Sequence, residues 1–197
     1  MLTIRIVTIT GPSGSGKTTI LKLLLESGNP KILPVVSTTT RPPRESDAVG
    51  EYEHVDSATF DALKKGGAFL WDVSVADHRY GTRKKSVDEK VASGALGGMI
   101  LVPSIVPVLR THVSVMCAFT LSVYIEGVPE EVLRERMQRR GDSEESIAQR
   151  LAECQAWDAE AQGMRCFNMF VSNKDEVVPG RTAAYAILNY LQRHDFD

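Results

Sequence analysis

Eight consecutive residues, Gly11-Pro12-Ser13-Gly14-Ser15-Gly16-Lys17-Thr18, carry the most specific chemistry in the sequence. Glycines at these spacings let successive backbone N–H groups turn into one concavity. A lysine then reaches the β and γ phosphates of a nucleoside triphosphate, and a threonine hydroxyl is left for Mg²⁺ at the start of a helix whose dipole favours an anion. A flexible loop ending in a surface lysine is the bland alternative. The context argues against it, because a β-rich run, Thr3 to Thr10, precedes the loop and an apolar helical stripe, Ile20, Leu23, Leu24 and Leu25, follows it.

Two further clusters could act on a second anion. Ser37-Thr38-Thr39-Thr40-Arg41-Pro42-Pro43-Arg44 sets two guanidinium groups three residues apart in a proline-stiffened turn. Planar forks match phosphate oxygens, so the pair is a candidate clamp for a monophosphate, against an ordinary solvated turn. Arg136 and Arg140, four residues apart, share one helix face, which suits either a solvated surface or a charge-stabilising element. Between these clusters FLWDVSVADHRYGT, Phe69 to Thr82, alternates like a half-buried strand and then turns.

The elements that must hold these groups alternate in kind. Strands are expected at 3–10, 32–37, 97–102, 120–125 and 167–172. Helices are expected from Thr18 to Glu26, about Ser57 to Lys65, Pro129 to about Arg139, Ser143 to about Gln162, and Thr182 to Leu191. That order predicts an α/β fold with a central parallel sheet covered on both faces. Pro103 and Pro107 argue against a long regular helix between the third and fourth strands. From Thr38 to about Gly94 short strands and polar turns suggest a small lobe outside the main sheet, inserted in a single domain, 1–197.

With 23 basic and 25 acidic residues and a net charge of -2, nothing pulls the chain generally toward nucleic acid or an anionic membrane. No apolar run reaches the roughly 18 to 20 residues of a membrane span. Cys117, Cys154 and Cys166 fit neither a disulfide framework nor a metal knuckle. They read as small hydrophobes in a reducing compartment, and the expected location is cytoplasmic. The expected partner is a small-molecule phosphate acceptor, and the protein a monomer or homodimer.

Several motifs in one order extend this reading. GPSGSGKTT at 11–19, STTTRPPR at 37–44, Tyr52, RYGT at 79–82, RMQRRG at 136–141 followed by Gln149-Arg150-Leu151, and FNMFVSN at 167–173 resemble the guanylate kinase family over nearly the whole chain. The resemblance implies a P-loop kinase fold with an acceptor-binding lobe, about 38–94, and an arginine-bearing lid, about 136–150. It implies ATP-dependent phosphoryl transfer to a nucleoside monophosphate with ATP and Mg²⁺. The implied donor site is Gly11, Ser13, Gly14, Ser15, Gly16, Lys17, Thr18 and Thr19, with Asn173 beside the donor purine and Thr18 on the metal. Lys17, Arg136, Arg140 and Arg150 are implied around the transferring group. Arg41, Arg44, Tyr52 and Tyr80 are implied on the acceptor phosphate, and Ser37 and Thr82 at the base end.

Two departures bear on the acceptor. Where the family has Phe-(Leu or Ile)-Glu-Trp, this chain has Phe69-Leu70-Trp71-Asp72, so Trp71 occupies the place of the glutamate. Asp72 would face the acceptor only after a one-residue slip, which reverses the face of a strand. Trp71 either packs in the core, stacks on a base or closes a smaller pocket. Where the family reads I-L-D-I-D, this chain has Ile100-Leu101-Val102-Pro103-Ser104. The acceptor that the resemblance implies is GMP, dGMP or a related or modified nucleotide. The alternatives are ribose 1,5-bisphosphate, as in a related branch lacking that acidic pattern, or no acceptor at all in an inactive interaction module.

Overall fold

The computed structural model describes residues 3–45, 47–75, 77–126, 128–139, 141–174 and 180–194. Its main sheet has the order β2-β7-β1-β8-β9, from Ile32–Pro34, Leu96–Ile100, Thr3–Thr10, Ala118–Glu126 and Met169–Ser172, and all four pairings are parallel. Parallel strands need helical covers on both faces. Val7, Ile9, Leu121 and Val123 point into one core with α1 (Lys17–Glu26) and α7 (Arg181–His194). Ile6, Met99 and Leu101 point into the other with α3 (Lys84–Ala92) and α4 (Val106–Val115).

After β2 the chain leaves this sheet and builds a second one. Its order is β4-β3-β6-β5, from Tyr52–His54, Ser37–Thr39, His78–Arg83 and Phe69–Val75. Helix α2 (Ser57–Lys65) packs beside β5, capped by Asp56, which accepts from Thr59 N at 2.7 Å. The return through α3 places β7 next to β2, so the second sheet hangs from one edge of the first near the carboxyl ends of β7 and β1.

On the opposite side α5 (Glu130–Arg139) and α6 (Glu144–Gly163) form a helical pair. Helix α5 opens on Glu130 and Glu131, as its dipole favours, and buries Leu133 and Met137 one turn apart. Ser143 caps α6, accepting from Ser146 N at 3.3 Å.

The structure differs from the sequence expectation between β7 and β8. Pro103 opens a single 3-10 turn, and α4 then runs for ten residues with Pro107 in its first turn. A proline there removes no intrahelical hydrogen bond, because the first N–H groups of a helix have no partner in any case. Helix α3 has no counterpart among the expected elements. No helix among the described residues is long and apolar enough to cross a membrane.

Candidate functional site

A cleft of about 440 Å³ runs between the two sheets and beneath the α5–α6 pair. One end is the glycine loop. Gly16 ends the loop at φ 90°, in the left-handed region, and caps α1. A Cβ there would sit 2.3 Å from Asn173 Nδ2, so glycine is required both for its backbone and for space. Lys17 Nζ donates to the carbonyls of Gly11 and Pro12 at 2.8 and 2.7 Å, which holds its charge inside the loop. Ser13, Lys17, Thr18 and Thr19 line the cleft. The Ser15 hydroxyl is buried with no hydrogen-bond partner among the described residues.

Asn173 is held from both sides by backbone. It is 0% exposed. Its Nδ2 donates to Ser15 O at 2.7 Å, and its Oδ1 accepts from Gly180 N at 2.8 Å. It ties the phosphate loop to the start of α7.

Two arginines of the helical pair meet the same loop. Arg136 donates to Gly14 O and Asn173 O, both at 3.3 Å. Arg150 donates to Ser13 Oγ at 3.1 Å and to Ser146 Oγ at 3.1 Å, with Asp142 3.8 Å away. Arg140 falls outside the described residues. Cys154 lies under the loop with Sγ 3.9 Å from Ser13 O, and burial raises its thiol pKa, so it stays protonated.

The opposite end is the second sheet. Arg44, Tyr52 and Tyr80 line the cleft there, and the two tyrosine rings meet edge to face at 6.2 Å. Arg41 does not reach it. It is 4% exposed, donates to Asp47 Oδ1 at 2.7 Å and to Pro42 O at 2.8 Å, and lies over the Tyr52 ring. Burial disfavours its charge, but the bond to Asp47 and nearby Tyr80 outweigh this, and its pKa is raised. The other oxygen of Asp47 accepts from the Arg44 backbone N at 2.9 Å. One carboxylate thus fixes the turn that presents Arg44, a role the sequence reading missed. Beside it Glu51 is buried, accepts from Ala48 N at 3.0 Å, and has its pKa raised chiefly by burial.

Ser37 lines the cleft, and its hydroxyl pairs at 2.9 Å with that of Thr82, which is itself buried behind it. On β5 the alternation places Trp71, Val73 and Val75 on the cleft wall. Asp72 faces the other way and binds Lys64 of α2 at 2.6 Å, so the structure does not bring it to the site. A one-residue register shift does exist in this strand, between Phe69 and Trp71. It lies upstream of Trp71 and turns Phe69 onto Phe60 of α2, 4.7 Å between ring centres, leaving Trp71 toward the cleft. Trp71 also shares a core cluster with Leu101 and Ile105, and its indole N–H is buried with no partner among the described residues.

Ile100, Leu101 and Val102 continue the apolar wall from the end of β7. Arg139, Glu153 and Trp157 of the helical pair also line the cleft, and none was singled out from the sequence. Glu153 and Trp157 are spaced four apart on α6, a signal no stronger than that of any amphipathic helix. Among the described residues no group of three or more His, Cys, Asp or Glu side chains could hold a metal ion; the Thr18 hydroxyl is the candidate protein contact.

Comparison with known proteins shows the family and the fold. The profile of the family described as guanylate kinase matches residues 3–177. A guanylate kinase of Nostoc sp. is 36% identical over 173 residues, covering 87% of this chain and 83% of that protein. One of Helicobacter pylori is 34% identical over 169 residues, covering 85% and 78%. Among solved structures, a guanylate kinase from Anaplasma phagocytophilum superimposes with a TM-score of 0.63 at 23% identity, covering 100% of this chain and 88% of that one. A shikimate kinase from Acinetobacter baumannii, at 13% identity and a TM-score of 0.52 over 99% and 97% of the two chains, shares the fold. The chain belongs to the guanylate kinase family.

Proposed function

We propose that this protein transfers the γ-phosphoryl group of ATP to the phosphate of a nucleoside monophosphate. One observation carries the reading: a single cleft has Lys17 and Thr18 at one end, Arg44, Tyr52 and Tyr80 at the other, and Arg136 and Arg150 alongside the loop. Two anions can be bound head to head there, which phosphoryl transfer requires and simple hydrolysis does not.

The residues fit the two groups the reading calls for. The loop concavity and the Lys17 ammonium it encloses suit the triphosphate. Thr18 would hold Mg²⁺, whose charge, when bound, offsets that of the β and γ oxygens. The acceptor phosphate already bears a nucleophilic oxygen at neutral pH, so no base is needed. Its bond to Pγ forms as the bond from Pγ to the β-bridging oxygen breaks, and ADP leaves. Arg44 and the tyrosines orient the acceptor, Lys17, Arg136 and Arg150 stabilise the charge on the moving group, and the α5–α6 pair acts as a lid that excludes water.

The second reading, a sugar-phosphate kinase acting on ribose 1,5-bisphosphate, is favoured by the lack of a carboxylate at Val102 and Ser104. The apolar wall formed by Trp71, Val73, Val75 and the end of β7 opposes it, because a polyol with a second phosphate finds few partners there. The test is incubation with Mg-ATP and GMP, dGMP, AMP, CMP, UMP, dTMP or ribose 1,5-bisphosphate, with products separated by ion exchange. Conversion of at least one nucleotide to its diphosphate is expected, with GMP and dGMP first because the relatives carry the name guanylate kinase. Turnover of the sugar phosphate alone would overturn the nucleotide assignment, and nucleotide binding without transfer would favour an inactive interaction module.

A further inference from the structure

Resting on the kinase reading above, we infer that His54 is a positioning residue for the acceptor phosphate, its imidazole tying the loop that carries Arg44 to the strand that carries Tyr52. The loop, residues 40–51, leaves β3 after Thr39 and returns into β4 at Tyr52. The two strands pair in parallel, with Thr39 opposite His54. His54 therefore stands beside the point where the loop departs, on the same face of β4 as Tyr52.

From there the ring reaches the loop twice. Nδ1 lies 2.7 Å from the Arg41 carbonyl oxygen, and Nε2 lies 3.6 Å from Asp47 Oδ2. A carbonyl only accepts, so Nδ1 carries a proton and donates it. Nε2 then faces the carboxylate, and a second proton there adds an ion pair to the hydrogen bond. The same Asp47 oxygen accepts from the Arg44 backbone N, and the other holds the Arg41 guanidinium. One ring thus holds both ends of the turn that presents Arg44. It also lies 5.9 Å from the Tyr52 ring, centre to centre and tilted by 49°, while the Arg41 guanidinium sits over that tyrosine at 5.2 Å. His54 itself does not line the cleft, so it acts through Arg44 and Tyr52, which do.

His54→Phe keeps an aromatic ring beside Tyr52 and removes both nitrogens, at a side chain that is 25% exposed. It is expected to raise the acceptor KM by roughly threefold to tenfold, the effect of about one hydrogen bond, with kcat and the KM for ATP as in wild type. The factor should be the same for every monophosphate that turns over, because the lost contacts serve the phosphate and not the base. His54→Asn sets an amide N–H near the position of Nδ1 and should recover most of the loss. In an Asp47→Asn background, His54→Phe should cost less than it does alone, because both changes loosen one tie. An unchanged acceptor KM, a factor that varies with the base, or a parallel loss in kcat and in the KM for ATP would overturn the inference and leave the kinase reading standing. Calorimetric titration with GMP separates the two from the other side. Binding that His54→Phe weakens and His54→Asn restores, in a protein that transfers to nothing, would sustain the inference and remove the kinase reading.

Discussion

Replacing Asn173 by alanine separates two accounts of the donor end. The resemblance implies a residue beside the donor purine, whereas the structure has a fully buried side chain bracing the phosphate loop. Asn173→Ala removes the donor to Ser15 O and the acceptor of Gly180 N, both in buried residues. A buried backbone group left unpaired costs about 1 to 3 kcal/mol, so the pair costs about 2 to 6 kcal/mol. For a chain of this size each kcal/mol shifts Tm by about 2 to 4 °C, so a fall of about 4 to 24 °C follows, centred near 12 °C. Asn173→Asp discriminates further. It keeps an acceptor for Gly180 N but turns a carboxylate oxygen toward the Ser15 carbonyl, so it should be no more stable than the alanine variant. Thermal denaturation followed by circular dichroism, beside the KM for ATP and for GTP, reads both outcomes. The bracing account expects a large fall in Tm and weaker binding of both triphosphates in parallel. An unchanged Tm with an altered ATP-to-GTP preference would show that Asn173 meets the base and that the account is wrong.

Four other substitutions probe the remaining groups. Lys17→Ala should lower the transfer rate by at least about a hundredfold, as loss of a group that stabilises developing charge does, with the circular dichroism spectrum unchanged; near wild-type turnover would remove Lys17 from the reaction. Arg44→Ala should raise the acceptor KM with little change in Tm, whereas Arg41→Ala leaves Asp47 without its main partner and should lower Tm as well. Equal effects of the two on Tm would contradict the division between a contact and a tie. Glu51 tests the electrostatics of the clamp. Its pKa is raised above the ordinary 4.5, so its stabilising contribution is full below that value and lost as the pH rises through the raised one. The Tm of Glu51→Gln, neutral throughout, should therefore improve relative to wild type as the pH rises above 4.5, and a difference independent of pH would refute the upward shift.

The loop and the main sheet were legible because their signals are local. Gly11 to Thr18 is contiguous, and the strands read as short apolar runs. What was illegible depends on contacts between distant segments. The spacing before Tyr80 brought Trp71 to the expected glutamate position, but whether Trp71 or Asp72 faced the cleft depended on where a strand shift fell. The shift between Phe69 and Trp71 settles that, and nothing in the residues of β5 announces it. Arg41 and Arg44 read as an equivalent pair, yet Asp47 takes one guanidinium into the interior and only the backbone of the other. Glu153 and Trp157 look like ordinary positions of a long polar helix, and they reach the cleft only because α6 is laid over the end of β5. Helix α4 was missed because a proline in a first turn and one in mid-helix look alike until the start of the helix is known.

On the proposed reading, the arginines of the helical pair would exchange loop partners for phosphate oxygens when a triphosphate binds. Arg136 and Arg150 bind the loop through neutral acceptors, two carbonyls and a hydroxyl, at 3.1 to 3.3 Å. A phosphate adds opposite charge and a two-pronged fit to a guanidinium, which a carbonyl or a hydroxyl cannot offer. A triphosphate in the loop therefore offers these side chains better partners within a short reorientation, without first breaking a strong ion pair. Asp142, 3.8 Å from Arg150, is a longer-range counter-charge that keeps the guanidinium on the cleft side of α6. If Asp142 were instead the main partner of Arg150, Asp142→Asn would free the arginine and leave transfer unharmed or improved. If it positions the arginine, the same substitution lowers kcat by about threefold to tenfold, in line with the order of 1 kcal/mol for a partly screened pair, and leaves the acceptor KM unchanged.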